Sequence, residues 1–125
     1  MSHFTTIKTQ IKDMAALRVA CDELGVVLVA AASARGYLGN QINGDYVIQL
    51  KGPYDIALNH QPDRSYGLTS DLWQGHVERE VGKDYGRLLQ LYGVHKASRE
   101  ARRKGHLVRR SQHADGSIKL IIAPA

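Results

Sequence analysis

Cysteine is nearly absent from this chain of 125 residues: Cys21 stands alone, so no intrachain disulfide can form. A secreted domain of this size more often carries paired cysteines, and a reducing compartment is expected. Cys21 falls on the apolar face of a predicted helix, where a small buried thiol is expected rather than a nucleophile. Long hydrophobic runs are also missing. The most apolar stretch, Val26 to Ala34, is too short to span a bilayer. Asp22 and Glu23 stand where a signal peptide would need a basic, acid-free lead. The stretch reads as a strand, buried on both faces if it is central, and no membrane insertion is expected.

Several chemistries lack their signatures. Arg35-Gly36-Tyr37-Leu38-Gly39-Asn40 has two glycines, but neither the Lys-Ser/Thr pair of a phosphate loop nor the spacing of a dinucleotide fingerprint. None of the six histidines pairs with another one helical turn away, so no local two-histidine metal site is written. His76-Val77-Glu78-Arg79-Glu80 is the nearest thing to a ligand cluster and reads as a solvated segment. There is no Ser-His-Asp spacing, no nucleophile elbow and no pair of carboxylates that stands out. No metal and no cofactor is assigned.

What is present is an ordinary folding composition, 43% apolar and 23% charged, which predicts a single domain over residues 1–125. Alternation predicts a strand over 4–11. Asp13 is a plausible N-cap, and Met14, Leu17, Cys21 and Leu24 share a helical face that Gly25 closes. After the run at 26–34, Gly36, Gly39 and the Asn43-Gly44 pair predict a loop or turn region. Further strands are predicted at 46–51, 54–59 and 66–71, while 72–82 is ambiguous. A helix over 84–104 carries Tyr85, Leu88, Tyr92 and His95 on one stripe. Strands at 106–112 and 117–123 flank Asp115-Gly116, a strong hairpin signal. This order predicts an α+β fold, an antiparallel sheet with two main helices packed on one face.

The net charge of +5 is unevenly placed. Residues 96–110 hold Lys96, Arg99, Arg102, Arg103, Lys104, Arg109 and Arg110 against Glu100 alone. Such a segment suits a polyanion or nucleic acid, with Arg99, Arg102, Arg103 and Arg109 as candidate contacts. It contains no aromatic residue on which bases could stack, and a solvated helix end accounts for it at least as well. Arg35 and Tyr37 would suit an anionic or planar ligand, although a turn that uses its glycines is the simpler account. His95 is expected to turn its ring toward the sheet. A bond from a strand or from Ser2-His3-Phe4 would hold it in a mainly structural role, unless Asp55 or Asp71 lies near enough to make it an acid or base. Trp73, the sole tryptophan, is expected in the core or in a lid.

Several islands recur in one order. They are the opening Met1-Ser2-His3-Phe4-Thr5-Thr6-Ile7, Arg35-Gly36-Tyr37-x-Gly39, Tyr54-Asp55-Ile56, Asp71-x-Trp73, Tyr92-x-x-His95 and Asp115-Gly116-Ser117-Ile118-Lys119-Leu120. In this the chain resembles the hypothetical chloroplast reading frame thirty-five family, also described as domain of unknown function twelve fifty-seven. The resemblance spans nearly the whole chain. It implies a small soluble protein with plastid and cyanobacterial relatives, and hence a cytoplasmic or stromal location. Members are sometimes encoded near an AAA-type ATPase, which makes such an ATPase a partner candidate. It carries over no catalytic residue. The chain departs from the family where Leu72 precedes Trp73, a place where a second tryptophan is often found, and at Ala57, where glycine is common.

Three function classes follow. The first, favoured by the lack of a catalytic constellation, is a non-enzymatic accessory or adaptor protein that acts through a protein partner. The second is a polyanion or nucleic-acid binder working through 96–110. The third is a small-ligand binder or enzyme with a pocket around Arg35, Tyr37, Asp55 and His95; the candidate ligand or partner site as a whole is Arg35, Tyr37, Asp55, Asp71, Trp73 and His95.

Overall fold

A computed structural model of the chain describes residues 4–125. The elements run β1 (Phe4–Lys8), α1 (Met14–Leu24), β2 (Val27–Arg35), β3 (Gln41–Gln49), β4 (Ile56–His60), β5 (Tyr66–Asp71), the one-turn α2 (Glu78–Val81), α3 (Gly86–Arg103), β6 (His106–Gln112) and β7 (Ile118–Pro124). Five strands form one sheet in the order β1-β5-β4-β3-β2, antiparallel throughout. β6 and β7 form a separate two-stranded hairpin. The fold is α+β.

Period-two patterning builds the main core. Ile7, Leu68, Leu58 and Tyr46 align across β1, β5, β4 and β3, and Ile56, Ile48 and Leu28 form the next rank. This face meets Leu17, Ala20 and Cys21 of α1 and Leu88, Leu91 and Tyr92 of α3. Each fully buried Leu or Ile adds roughly 1.5–3 kcal/mol. Burial pushes the Cys21 thiol up to about 12, so it stays protonated. Asp13 caps α1 by accepting from Ala16 N at 3.1 Å, and Gly25 closes it at φ 76°. Tyr92 Oη accepts from the backbone N–H groups of Lys12 and Asp13 at 3.0 and 3.1 Å, which fixes the start of α1 on α3.

Part of the other face of the sheet is covered by the sheet's own hairpin. β2 and β3 pair along their length, but the ladder skips the level of Ala31 and Asp45, where Ala31 takes φ 49°. β3 pairs with β4 only from Tyr46 to Ile48. Beyond it, Asp45 N donates to Asn59 Oδ1 and Asn59 Nδ2 donates to Asn43 O, so side chains replace the ladder. The distal half of the hairpin then folds back across the sheet. Ala32, Ala34 and Ile42 pack on Val47 and Ala57 in a second, smaller core. Gly36 comes to rest on Phe4, the first described residue of the opposite edge strand, so closely that a Cβ would lie 2.6 Å from the ring.

Several expectations are corrected here. The 26–34 run is an edge strand with Val27 56% exposed, because it pairs only with β3. Asn43-Gly44 lies inside β3; the turn is made by Gly36 to Asn40, where Gly36 N donates to Asn40 O. β1 stops at Lys8, since Thr9 Oγ1 donates to Tyr66 O and accepts from Ile11 N instead of continuing the ladder. Helix α3 begins two residues late because Asp84 and Tyr85 are left-handed, at φ 54° and 61°. The ambiguous 72–82 stretch holds a tight turn over Trp73–Gly75 and then α2.

Candidate functional site

Five of the six candidate residues meet where the folded-back hairpin touches the sheet. Asp55, just before β4, is 2% exposed. Its Oδ2 accepts from Arg35 N at 3.0 Å and Arg35 Nε at 2.8 Å, and its Oδ1 from Arg35 Nη2 at 2.8 Å and Leu50 N at 3.1 Å. Burial works to raise this carboxyl. The Arg35 side chain and the two backbone donors outweigh it and hold the group below the usual carboxylate range. Arg35 Nη2 also donates to the carbonyls of Leu50 and Gly52. Glu80 accepts from Lys51 N and Gly52 N and closes the same turn from the α2 side.

Asp71, at the end of β5, is 1% exposed. One carboxylate oxygen accepts from Tyr37 N and the other from Trp73 N, each at 3.0 Å. The turn holding Tyr37 and the turn holding Trp73 are thereby fixed to one buried group. Their rings lie 5.8 Å apart, tilted by 52°. Tyr54 sits behind them, edge-on to His76 at 5.1 Å. Burial and the neighbouring Asp71 raise its hydroxyl. Trp73 is 37% exposed and sits on a turn.

The outer surface of these turns carries exposed leucines beside Asn40 and Gln74. Leu38 is 83% exposed and Leu72 38% exposed. Leu38 and Gln74 both hold left-handed backbone, at φ 53° and 54°. A side chain other than Gly, Asn or Asp pays roughly 1–2 kcal/mol there. Sequence reasoning does not single out Leu38; an apolar residue at the tip of a glycine-flanked turn is the signal that finds it.

His95 is elsewhere and half-buried. Its Nε2 donates to Glu23 Oε1 of α1 at 2.8 Å, in place of the expected bond from a strand. Residues Ser2 and His3 of the other expected donor segment lie outside the described residues. Arg110 of β6 grips the same carboxylate with two bonds, at 2.9 and 2.7 Å, so Glu23 joins α1, α3 and the β6–β7 hairpin. The Arg110 bonds, aided by His95, hold Glu23 down to about 2. A depressed carboxyl stabilises the fold above its usual value of 4.5, and that stability is lost as pH falls toward about 2. Glu23→Gln is expected to cost about 1 kcal/mol at neutral pH. It should also flatten the fall of the urea midpoint across this acid window; an unchanged slope would refute the role.

In the 76–80 segment, Val77 is buried, and Arg79 bonds to His76 and to Gln74 O. Among the described residues no group of three or more His, Cys, Asp or Glu is placed to hold a metal ion. None of the described helices is long and apolar enough to cross a membrane.

The family model described as "Protein of unknown function (DUF1257)" matches residues 20–121. The chain is 32% identical over 126 residues to "Uncharacterized protein ycf35" of Pyropia yezoensis, covering 98% of this chain and 96% of that protein. No solved structure matches. With most of its length under that model and a full-length relative beside it, the chain belongs to the DUF1257 family.

Proposed function

We propose that the protein is a non-enzymatic accessory protein that binds a protein partner through the surface formed by Tyr37, Leu38, Leu72 and Trp73. One observation carries the reading: buried Asp71 pins the backbone of both Tyr37 and Trp73, so two turns with exposed apolar side chains form one rigid face. Exposed tryptophan and leucine beside a half-buried tyrosine on a preorganised surface suit a binding centre, since anchors that are already ordered lose little entropy on docking. The strained backbone at Leu38 and Gln74 fits the same reading, because such strain gathers at functional positions. Neither carboxylate is poised as a base. Asp55 accepts four hydrogen bonds, and each oxygen of Asp71 faces a backbone N–H.

An AAA-type ATPase is the first partner to test, in a bacterial cytoplasm or plastid stroma. The tagged chain is to be compared with Leu38→Asn and Trp73→Ser in co-purification from its own host. Asparagine tolerates the left-handed backbone, so Leu38→Asn should hold stability or raise it by up to about 1 kcal/mol. Partner retention should fall at least about tenfold in each variant, as for truncated anchors worth more than 1 kcal/mol. Undiminished retention of the same partner by both variants refutes the surface.

A further inference from the structure

Three arginines at the end of α3, Arg99, Arg102 and Arg103, line one cavity of ≈ 380 Å³. Their spacing puts them on one helical face, where like charges repel. Among the described residues none of the three takes part in an ion pair; the arginines that do are Arg35, with Asp55, and Arg110, with Glu23. Glu100 is exposed and does not line the cavity. Arg99 Nε is buried and meets no acceptor among the described residues. A buried donor is ordinarily paired, and an exception calls for a partner.

A helix C-terminus by itself repels anions. Here the last carbonyls are partly occupied: Lys104 N donates to the carbonyls of Glu100 and Ala101, and Gly105 N to that of Arg102. The local field is therefore set by the three guanidinium groups. Guanidinium groups bind phosphate through paired N–H donors, and three of them line this one cavity.

We propose that this cavity is a binding site for a compact diphosphate group, free or at the end of a nucleotide. A diphosphate carries roughly three negative charges near neutral pH, which complements three guanidinium groups. A long nucleic-acid backbone suits the site less well: the arginines converge on one cavity, and residues 96–110 hold no aromatic platform for bases. The site is separate from the proposed partner surface and does not depend on it.

The test is thermal unfolding and calorimetry of the full chain with pyrophosphate, with ADP and with a labelled single-stranded oligonucleotide, at ionic strength held constant with KCl. Pyrophosphate should raise the unfolding temperature saturably, since a ligand of the folded state stabilises it. ADP should bind no more tightly than pyrophosphate. The triple variant R99Q/R102Q/R103Q should lose at least about tenfold in affinity, the equivalent of one good contact. Lysine at the same three positions keeps the charge, loses the planar fork and should lose most of the binding. Arg109→Gln, outside the cavity, should bind as wild type does. Any of four results overturns the proposal. They are no saturable shift beyond the KCl control, full affinity in the glutamine or the lysine variant, ADP binding tenfold more tightly than pyrophosphate, or oligonucleotide binding that pyrophosphate does not displace.

Discussion

Asp55→Ala is expected to lower the unfolding free energy by about 3–5 kcal/mol, on the scale of a broken buried ion pair. The loss has two parts. Arg35 N and Leu50 N lose their acceptor, and each unpaired buried donor costs roughly 1–3 kcal/mol. The Arg35 guanidinium also loses its anchor, although it is 48% exposed and can turn to water, which limits its share. Asp55→Asn should cost less, because its remaining carbonyl can still accept. The wild-type carboxyl is held low, so its contribution is present above the usual carboxylate range and is lost as pH falls. Urea unfolding of the three proteins should therefore converge toward acid pH. A wild-type midpoint matched by Asp55→Ala at neutral pH would show that the hairpin does not depend on this bond.

The helices and the central strands were legible because local signals agree with their surroundings. Asp13 and Gly25 bound α1, and the alternation at Ile56, Leu58 and Leu68 matches the face covered by α1 and α3. The fold-back of the hairpin was not. Ala32 and Ala34 are apolar because they cover Val47 and Ala57 from above, a pattern that reads along the chain as a strand buried in the middle of a sheet. Asn43-Gly44 reads as a turn, yet glycine is needed there for want of space. The candidate residues Arg35, Asp55 and Asp71 were legible as islands, while their convergence depends on that fold-back. His95 was expected to turn its ring toward the sheet, but its partner Glu23 comes from α1 and is shared with Arg110 of β6. No local period brings those groups together.

Gly44→Ala is the change expected to undo the fold-back itself. A Cβ on Gly44 would lie 2.4 Å from the backbone oxygen of Tyr46 and 3.2 Å from both Leu58 N and the Ala57 side chain. Two of these neighbours are backbone atoms of the strands that carry the core, so no rotamer change relieves the contact. Overpacking of this kind costs roughly 1–3 kcal/mol when side chains can yield and more when the backbone must move. The expected loss is therefore about 3 kcal/mol. The way it is lost is specific: if the bend opens, Ala34 leaves Val47, and Tyr37 leaves Trp73. The sole tryptophan reports this directly, since its ring lies beside Tyr37 on the pinned turns. Gly44→Ala should red-shift Trp73 emission in the absence of denaturant, while the far-ultraviolet helix signal of α1 and α3 stays close to wild type. Unchanged emission together with an unchanged unfolding midpoint would mean that the bend at Gly44 has room for a side chain, and the fold-back would then need another cause.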